Sequence, residues 1–226
     1  MANPRRHERP NALMHVIARG VHGDRLFPDD DWMGRFERLF AFEATTRNWA
    51  VWSYCLMGTH YHFVVSTPDC SLAEGMQRMH VRYAQGRNQE DRIGRVMGTP
   101  YRAIDIRSNA HLASCLRYVP MNPVKAGQCT HPADWRFGSF RAIVGIDACP
   151  SWLKRDRVLT FLDRAPGEYS RWVTARSQLD PPLSQREVLA FEIRRHLLAG
   201  RTHQEIAVLT GASVRWVERI AATGTP

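Results

Sequence analysis

Two histidines separated by one residue, His60 and His62, lie in the segment Cys55-Leu56-Met57-Gly58-Thr59-His60-Tyr61-His62-Phe63-Val64-Val65. The segment reads as two strands joined by a tight turn. Strand side chains alternate faces, so both imidazoles point one way and Tyr61 the other. Imidazoles about 6–7 Å apart along one face can hold a single metal ion. The same pattern also describes two partly exposed histidines satisfied by hydrogen bonds. Further along, Tyr118 and Asn122 stand four residues apart and would share one face of a helix. An amide oxygen suits a hard divalent cation, and a tyrosine hydroxyl beside it can serve as a nucleophile. The alternative is a core tyrosine with an asparagine that stops the helix before Pro123. Pro120 removes the helical hydrogen bond to the Leu116 carbonyl and can kink the axis between Tyr118 and Asn122.

Other side chains invite comparison. Tyr83 has nucleophile chemistry but nothing places it over the histidines, and helix packing accounts for it. His15 on a predicted first strand is either a neighbour of a metal ligand or a hydrogen-bonded sheet histidine. Arg78, Arg82, Arg87, Arg92 and Arg95 form a cationic stretch that fits a solvated helix face as well as contacts to a nucleic-acid backbone. A zinc site from His60, His62 and Cys55 is disfavoured, because Cys55 lies across the turn and no other thiol has fixed spacing.

The elements that must position these groups follow from periodicity. A strand covers Leu13–Arg19, and a helix follows Asp29-Asp30-Asp31 with Trp32, Phe36, Leu39 and Phe40 at helical spacing. Strands are expected over Trp49–Met57 and His60–Thr67, and a helix from the capping box at Ser71 towards Arg87. A strand at Tyr101–Arg107 and a helix at Ser108–Met121 complete a βαββαβα order. That order implies an α+β, ferredoxin-like antiparallel sheet with helices on one face. Two prolines, Pro181 and Pro182, mark a linker. Beyond them Ser184-Gln185-Arg186-Glu187 and Thr202-His203-Gln204-Glu205 have capping-box spacing, and Ser213 precedes a third apolar-periodic stretch. In that last helix Val214, Val217 and Ile220 are expected inward, with Arg215, Trp216 and Arg219 outward, as in a helix-turn-helix that reads a major groove. The expected organisation is a main domain over 1–150, a connecting segment over 151–183 and an all-α module over 184–226.

The composition agrees with a nucleic-acid partner without requiring one. The 226 residues carry a formal charge of +9, and all but Lys125 and Lys154 of the 31 basic side chains are arginine, which suits bidentate phosphate contacts. With 44% hydrophobic residues the chain can build a core, which excludes a disordered or fibrous class. Five cysteines without CxxC spacing exclude a disulfide framework and a cysteine-based zinc module. No apolar run reaches the ~18 residues of a membrane span, so the expected setting is soluble and cytoplasmic.

Several linked motifs together are more specific. Met14-His15-Val16-Ile17-Ala18-Arg19-Gly20, Tyr54-Cys55-Leu56-Met57 leading into His60-Tyr61-His62, Met76-Gln77-Arg78 with Arg82-Tyr83, Arg117-Tyr118 through Asn122-Pro123-Val124-Lys125-Ala126-Gly127, then Trp135 and Ser139-Phe140-Arg141, occur in order over roughly residues 10–145. This pattern resembles the single-tyrosine HUH transposases of the IS200-like superfamily, and within it the REP-associated tyrosine transposases. The resemblance implies an HUH endonuclease core in which His60, His62 and Asn122 hold Mg²⁺ or Mn²⁺ and Tyr118 is the nucleophile. It also implies cleavage and rejoining of single-stranded DNA at palindromic hairpins through a 5′-phosphotyrosine link. Arg78, Arg82, Arg117 and Lys125, together with Arg215, Trp216 and Arg219, are the expected DNA contacts, with the protein a monomer or homodimer. The chain departs from the family pattern at Gly58-Thr59, at Pro120 and at Met97-Gly98-Thr99-Pro100-Tyr101. A catalytically impaired, domesticated regulator that binds such repeats is the alternative.

Overall fold

The computed structural model describes residues 9–21, 25–91, 94–98, 100–175, 193, 197, 200–210 and 212–222. The chain divides into two compact units, one over His7–Arg176 and one that contains Ser177–Pro226. In the first unit β1 (Leu13–Arg19), α1 (Asp30–Thr46), β2 (Ala50–Met57), β3 (His60–Ser66), α2 (Leu72–Asp91), β4 (Arg102–Asp105) and α3 (Asn109–Lys125) follow the expected order. The strands form one antiparallel sheet in the order β2-β3-β1-β4, which is the ferredoxin-like arrangement.

Local chemistry explains the first helix. Asp29 caps α1 by accepting the Trp32 N–H at 2.9 Å, and Asp30 and Asp31 place negative charge at its positive end. Phe36 and Phe40 then face the sheet. The Phe40 and Phe63 rings stack at 3.7 Å, and Phe36 lies 5.0 Å from Tyr61. From α2, Tyr83 joins the same layer 5.0 Å from Phe36. The one-faced arrangement thus holds for α1 and α2, while α3 takes the opposite face, the one carrying His60 and His62. Strands β2 and β3 are buried along nearly their whole length, and such strands need cover on both faces.

Helix α3 runs unbroken through both prolines and ends four residues beyond the expected Met121. Each proline frees one carbonyl, and each freed carbonyl finds a side-chain donor. Tyr169 Oη donates to the Leu116 carbonyl released by Pro120 at 3.2 Å, and Asn122 Nδ2 donates to the Val119 carbonyl released by Pro123 at 3.1 Å. Tyr169 belongs to a part of the chain expected to be a connector. After α4 (Phe140–Val144), α5 (Arg155–Leu162) and α6 (Pro166–Thr174) pack into the same core through Val158, Tyr169 and Val173. Leu153 makes a parallel bridge to Val51 of β2. The boundary expected at residue 150 is therefore corrected to about 176, because the apolar residues of α5 and α6 cover α3 and β2.

The outer edge of β2 is also closed. Trp135 donates its indole N–H to the Leu56 carbonyl at 3.0 Å, and Ser139 Oγ accepts the Tyr54 N–H at 3.1 Å. An otherwise open edge would be a template for pairing with another chain.

In the second unit, α7 (His203–Thr210) and α8 (Val214–Ala222) pack through Ile206 and Val217, with Ile193 in the same small core. Thr202 and Glu205 form the expected capping box, with bonds of 2.9 and 3.3 Å. Ser213 caps α8 by accepting the Trp216 N–H at 3.3 Å. Arg215 and Arg219 are exposed as expected. Two expectations reverse: Trp216 is partly buried against the small core and Val214 is exposed. The core of the described residues here is small, and the large indole packs against it. The capping box at residues 184–187 and the diproline at 181–182 lie outside the described residues. Among the described residues no helix is long and apolar enough to cross a membrane.

Replacing Tyr169 with Phe leaves a buried Leu116 carbonyl without its donor. The expected loss is about 1–3 kcal/mol in urea unfolding at unchanged m-value. An unchanged midpoint would mean that the freed carbonyl has no need of this tyrosine.

Candidate active site

The strand ladder decides which side chains meet. Across β1 and β3, Arg19 opposes His60, Ile17 opposes His62 and His15 opposes Val64. Directly opposed residues project to the same face, so His15, Arg19, His60 and His62 share the face that α3 covers. The His60 and His62 rings are 5.0 Å apart, and the Tyr118 ring stands edge-on to His62 at 5.4 Å. The tyrosine and both histidines therefore converge.

Each imidazole is held through Nδ1. Thr59 Oγ1 lies 2.9 Å from His60 Nδ1, and His15 Nε2 lies 3.0 Å from His62 Nδ1. His62 Nε2, by contrast, is buried without a hydrogen-bond partner. Asn122 is buried one turn beyond Tyr118, and its Nδ2 donates to the carbonyls of Tyr118 at 3.0 Å and Val119 at 3.1 Å. With the nitrogen so engaged, Oδ1 is the atom the amide can offer a cation. The Lys125 ammonium lies 4.8 Å above the Tyr118 ring.

Burial sets the charge states. It pulls His60 down to about 4 and His15 to about 3, and His62 lies well below the ordinary histidine value. The Arg19 charge acts in the same direction on His60 and His62, and His111 on His15. Neutral imidazoles are the form that binds metals. Burial raises the Tyr118 phenol above its ordinary value, and Arg19 opposes that rise. Burial lowers Lys125, with Arg117 adding to the effect.

Several expected contacts sit elsewhere. Arg78 pairs with Glu43 at 3.6 Å and Glu74 at 3.8 Å, and Arg82 lies 5.3 Å over Phe42, both on the helix layer of the other sheet face. Arg87 is buried over Trp32 at 5.0 Å. The Arg117 guanidinium donates to the Val173 and Ala175 carbonyls at the end of α6, where a cation completes a helix C-terminus. Tyr83 is buried, donating to the Leu26 carbonyl at 2.8 Å. Cys55 opposes His62 across β2 and β3, but its thiol lies against Leu56 and Met57, and burial raises its pKa. Arg92 and Thr99 fall outside the described residues. Neither Arg19 nor Thr59 stands out by residue spacing in the sequence. The alternation of Arg19 with Ile17 and His15 on one strand was the signal available.

Among the described residues no three His, Cys, Asp or Glu side chains gather as a metal site. The donors the site can offer are the two imidazoles, with the Asn122 amide one turn beyond Tyr118 on the same helix. The orphaned, buried Nε2 of His62 fits a cation, and a mixed nitrogen and oxygen set with open positions is compatible with a divalent ion.

A four-stranded sheet with a histidine pair facing a helical tyrosine defines the architecture. The chain is similar in fold to the solved structure of a REP-associated tyrosine transposase bound to a REP hairpin, with a TM-score of 0.55 and 15% identity over 66% of this chain and 90% of that one. This likeness shows that the chain has the REP-associated tyrosine transposase fold. No protein-family model and no curated protein matches the chain.

Because His60 and His62 are neutral when folded but titrate near 6.5 when unfolded, the unfolded state binds more protons between those values. Their contribution to stability is present above pH 6.5 and is lost as pH falls towards about 4. Thermal unfolding across that range should show the decline, and a smaller one in His60→Asn. An equal slope in both proteins would contradict it.

Proposed function

We propose that this chain is a metal-dependent DNA transesterase that cuts and rejoins single-stranded DNA beside a hairpin through a 5′-phosphotyrosine intermediate. The observation that carries this reading is the convergence of Tyr118 with the two neutral histidines, one of which has a buried ring nitrogen without a partner. The structural neighbour was solved on a REP hairpin, which supports hairpin DNA as the partner.

His60, His62 and the Asn122 amide oxygen would hold Mg²⁺ or Mn²⁺. When bound, such an ion supplies positive charge to a non-bridging oxygen of the scissile phosphate. Tyr118 Oη attacks phosphorus, so an Oη–P bond forms and the bond to the 3′ oxygen breaks. The phenol loses its proton, and the departing 3′ oxygen ends as a hydroxyl. Attack by a 3′-hydroxyl on the phosphotyrosine reverses the step and joins strands, with no net loss of a phosphodiester bond. A partly buried phenol is a poor nucleophile until deprotonated, and Arg19 is the cation that favours its phenolate. Helix α3 presents Tyr118 on a rigid backbone, so little orientational freedom remains to be lost. Exposed Arg215 and Arg219 on α8 fit a role in holding the duplex stem.

Labelled hairpin DNA with Mg²⁺ or Mn²⁺ tests the reading. Wild type should yield a covalent adduct, and Tyr118→Phe should lose it with at least about a 10³-fold fall in cleavage. Equal cleavage by both would remove Tyr118 as the nucleophile, and tight hairpin binding without any adduct would favour the regulator.

Arg19→Gln should move the alkaline limb of the rate profile to higher pH, because a lost cation raises the phenol. It should also reduce the salt slope of single-strand binding by about one. A variant with both unchanged would show that Arg19 faces neither group.

A further inference from the structure

Two polar contacts behind the histidine pair have no place in the transfer step itself. Thr59 stands in the turn between β2 and β3, with its hydroxyl 2.9 Å from His60 Nδ1. His15 comes from β1, with its Nε2 3.0 Å from His62 Nδ1 and its ring stacked on that of His62 at 5.2 Å. We propose that Thr59 and His15 are positioning residues that fix His60 and His62 as Nδ1–H tautomers, so that both rings present a bare Nε2 lone pair.

The inference rests on the metal reading above and specifies how the chain prepares for it. A single proton lies between His15 Nε2 and His62 Nδ1. If His15 supplied it, the proton of neutral His62 would have to sit on Nε2. That nitrogen is buried and has no acceptor, so an N–H there would be orphaned in a low-dielectric interior, a costly arrangement. If His62 supplies it, Nε2 carries a lone pair instead, which is the form a cation needs. At His60 the Thr59 hydroxyl lies within hydrogen-bond distance of Nδ1 and can take the accepting role there, which leaves Nε2 bare on the other side of the ring. A ring nitrogen bonded on the far side from the ligand also loses its freedom to rotate or flip. Position 59 is one where the chain departs from the pattern it otherwise resembles, and a threonine hydroxyl can accept an imidazole proton from there.

Imidazole nitrogen shifts decide the tautomers directly. In the metal-free full chain labelled with ¹⁵N-histidine, near neutral pH, His60 and His62 should both show the Nδ1–H pattern. An Nε2–H pattern at His62 overturns the proposal. Calorimetric titration with Mn²⁺ alone gives a second reading. His15→Leu and Thr59→Val should each weaken binding by about 10–100-fold. His15→Gln and Thr59→Ser, which keep an accepting oxygen, should recover most of it. Wild-type Mn²⁺ affinity in a folded His15→Leu protein, with folding checked by circular dichroism, also overturns the proposal. The two readings fail separately. Nδ1–H tautomers with Mn²⁺ binding but no DNA cleavage would sink the transesterase and leave the tautomer assignment standing. Cleavage with an Nε2–H His62 would do the reverse.

Discussion

Strand β3 has both faces covered, and the rest of the molecule is arranged around that constraint. Its even positions, His60 and His62, face α3, and its odd positions, Tyr61 and Phe63, face α1 and α2. A shift of one residue in its pairing with β1 would send the histidines into an aromatic layer and Phe63 towards the tyrosine of α3. The stacking of Phe63 on Phe40 and of Tyr61 near Phe36 makes such a slip expensive, because two large rings would lose their packing. The register that holds the core together is therefore the same register that assembles the site. His15 and Arg19 reach the site for that reason alone, as neighbours across the ladder.

Helix α3 shows how a local conflict is resolved by distant residues. Two prolines in one helix would ordinarily kink it, yet Tyr118 and Asn122 remain on a continuous segment because the freed carbonyls have donors. One donor is Asn122 itself, which leaves its amide oxygen unengaged by that bond. The other is Tyr169, held in α6 by core packing. The segment beyond residue 150 is thus part of what keeps the tyrosine straight, and Arg117 fastens the end of the same helix from the α3 side.

Much of the basic excess of the chain is engaged within the protein itself. Arg47 is bonded to Glu43 and Glu74, Arg141 to Asp147, and Arg117 to backbone carbonyls. These guanidiniums complete helix ends and tie elements together, which is a use that arginine's planar fork of donors suits well. Arg19, one residue before the glycine that ends the first strand motif, is the arginine whose charge reaches His60, His62 and Tyr118.

Much of this was legible in the amino-acid order. Alternation and helical spacing determined the strands, the first three helices and their βαββαβα sequence, and the caps at Asp29, Thr202 and Ser213 were readable as polar residues before apolar runs. The pairing of His60 with His62, and of Tyr118 with Asn122, followed from periods of two and of nearly four. Which of the basic residues face the site did not follow, since charge along a chain carries no information about pairing register or about which carbonyls lack donors. Trp216 and Val214 were misplaced for a related reason, because the demand of a small core for volume is a property of the assembled unit. The sequence by itself thus determined the chemistry available and the elements that carry it. Only the tertiary structure decided that His15 stands behind His62, that Arg19 stands beside the pair, and that Tyr169 mends the proline helix, because each depends on contacts between residues far apart in the chain.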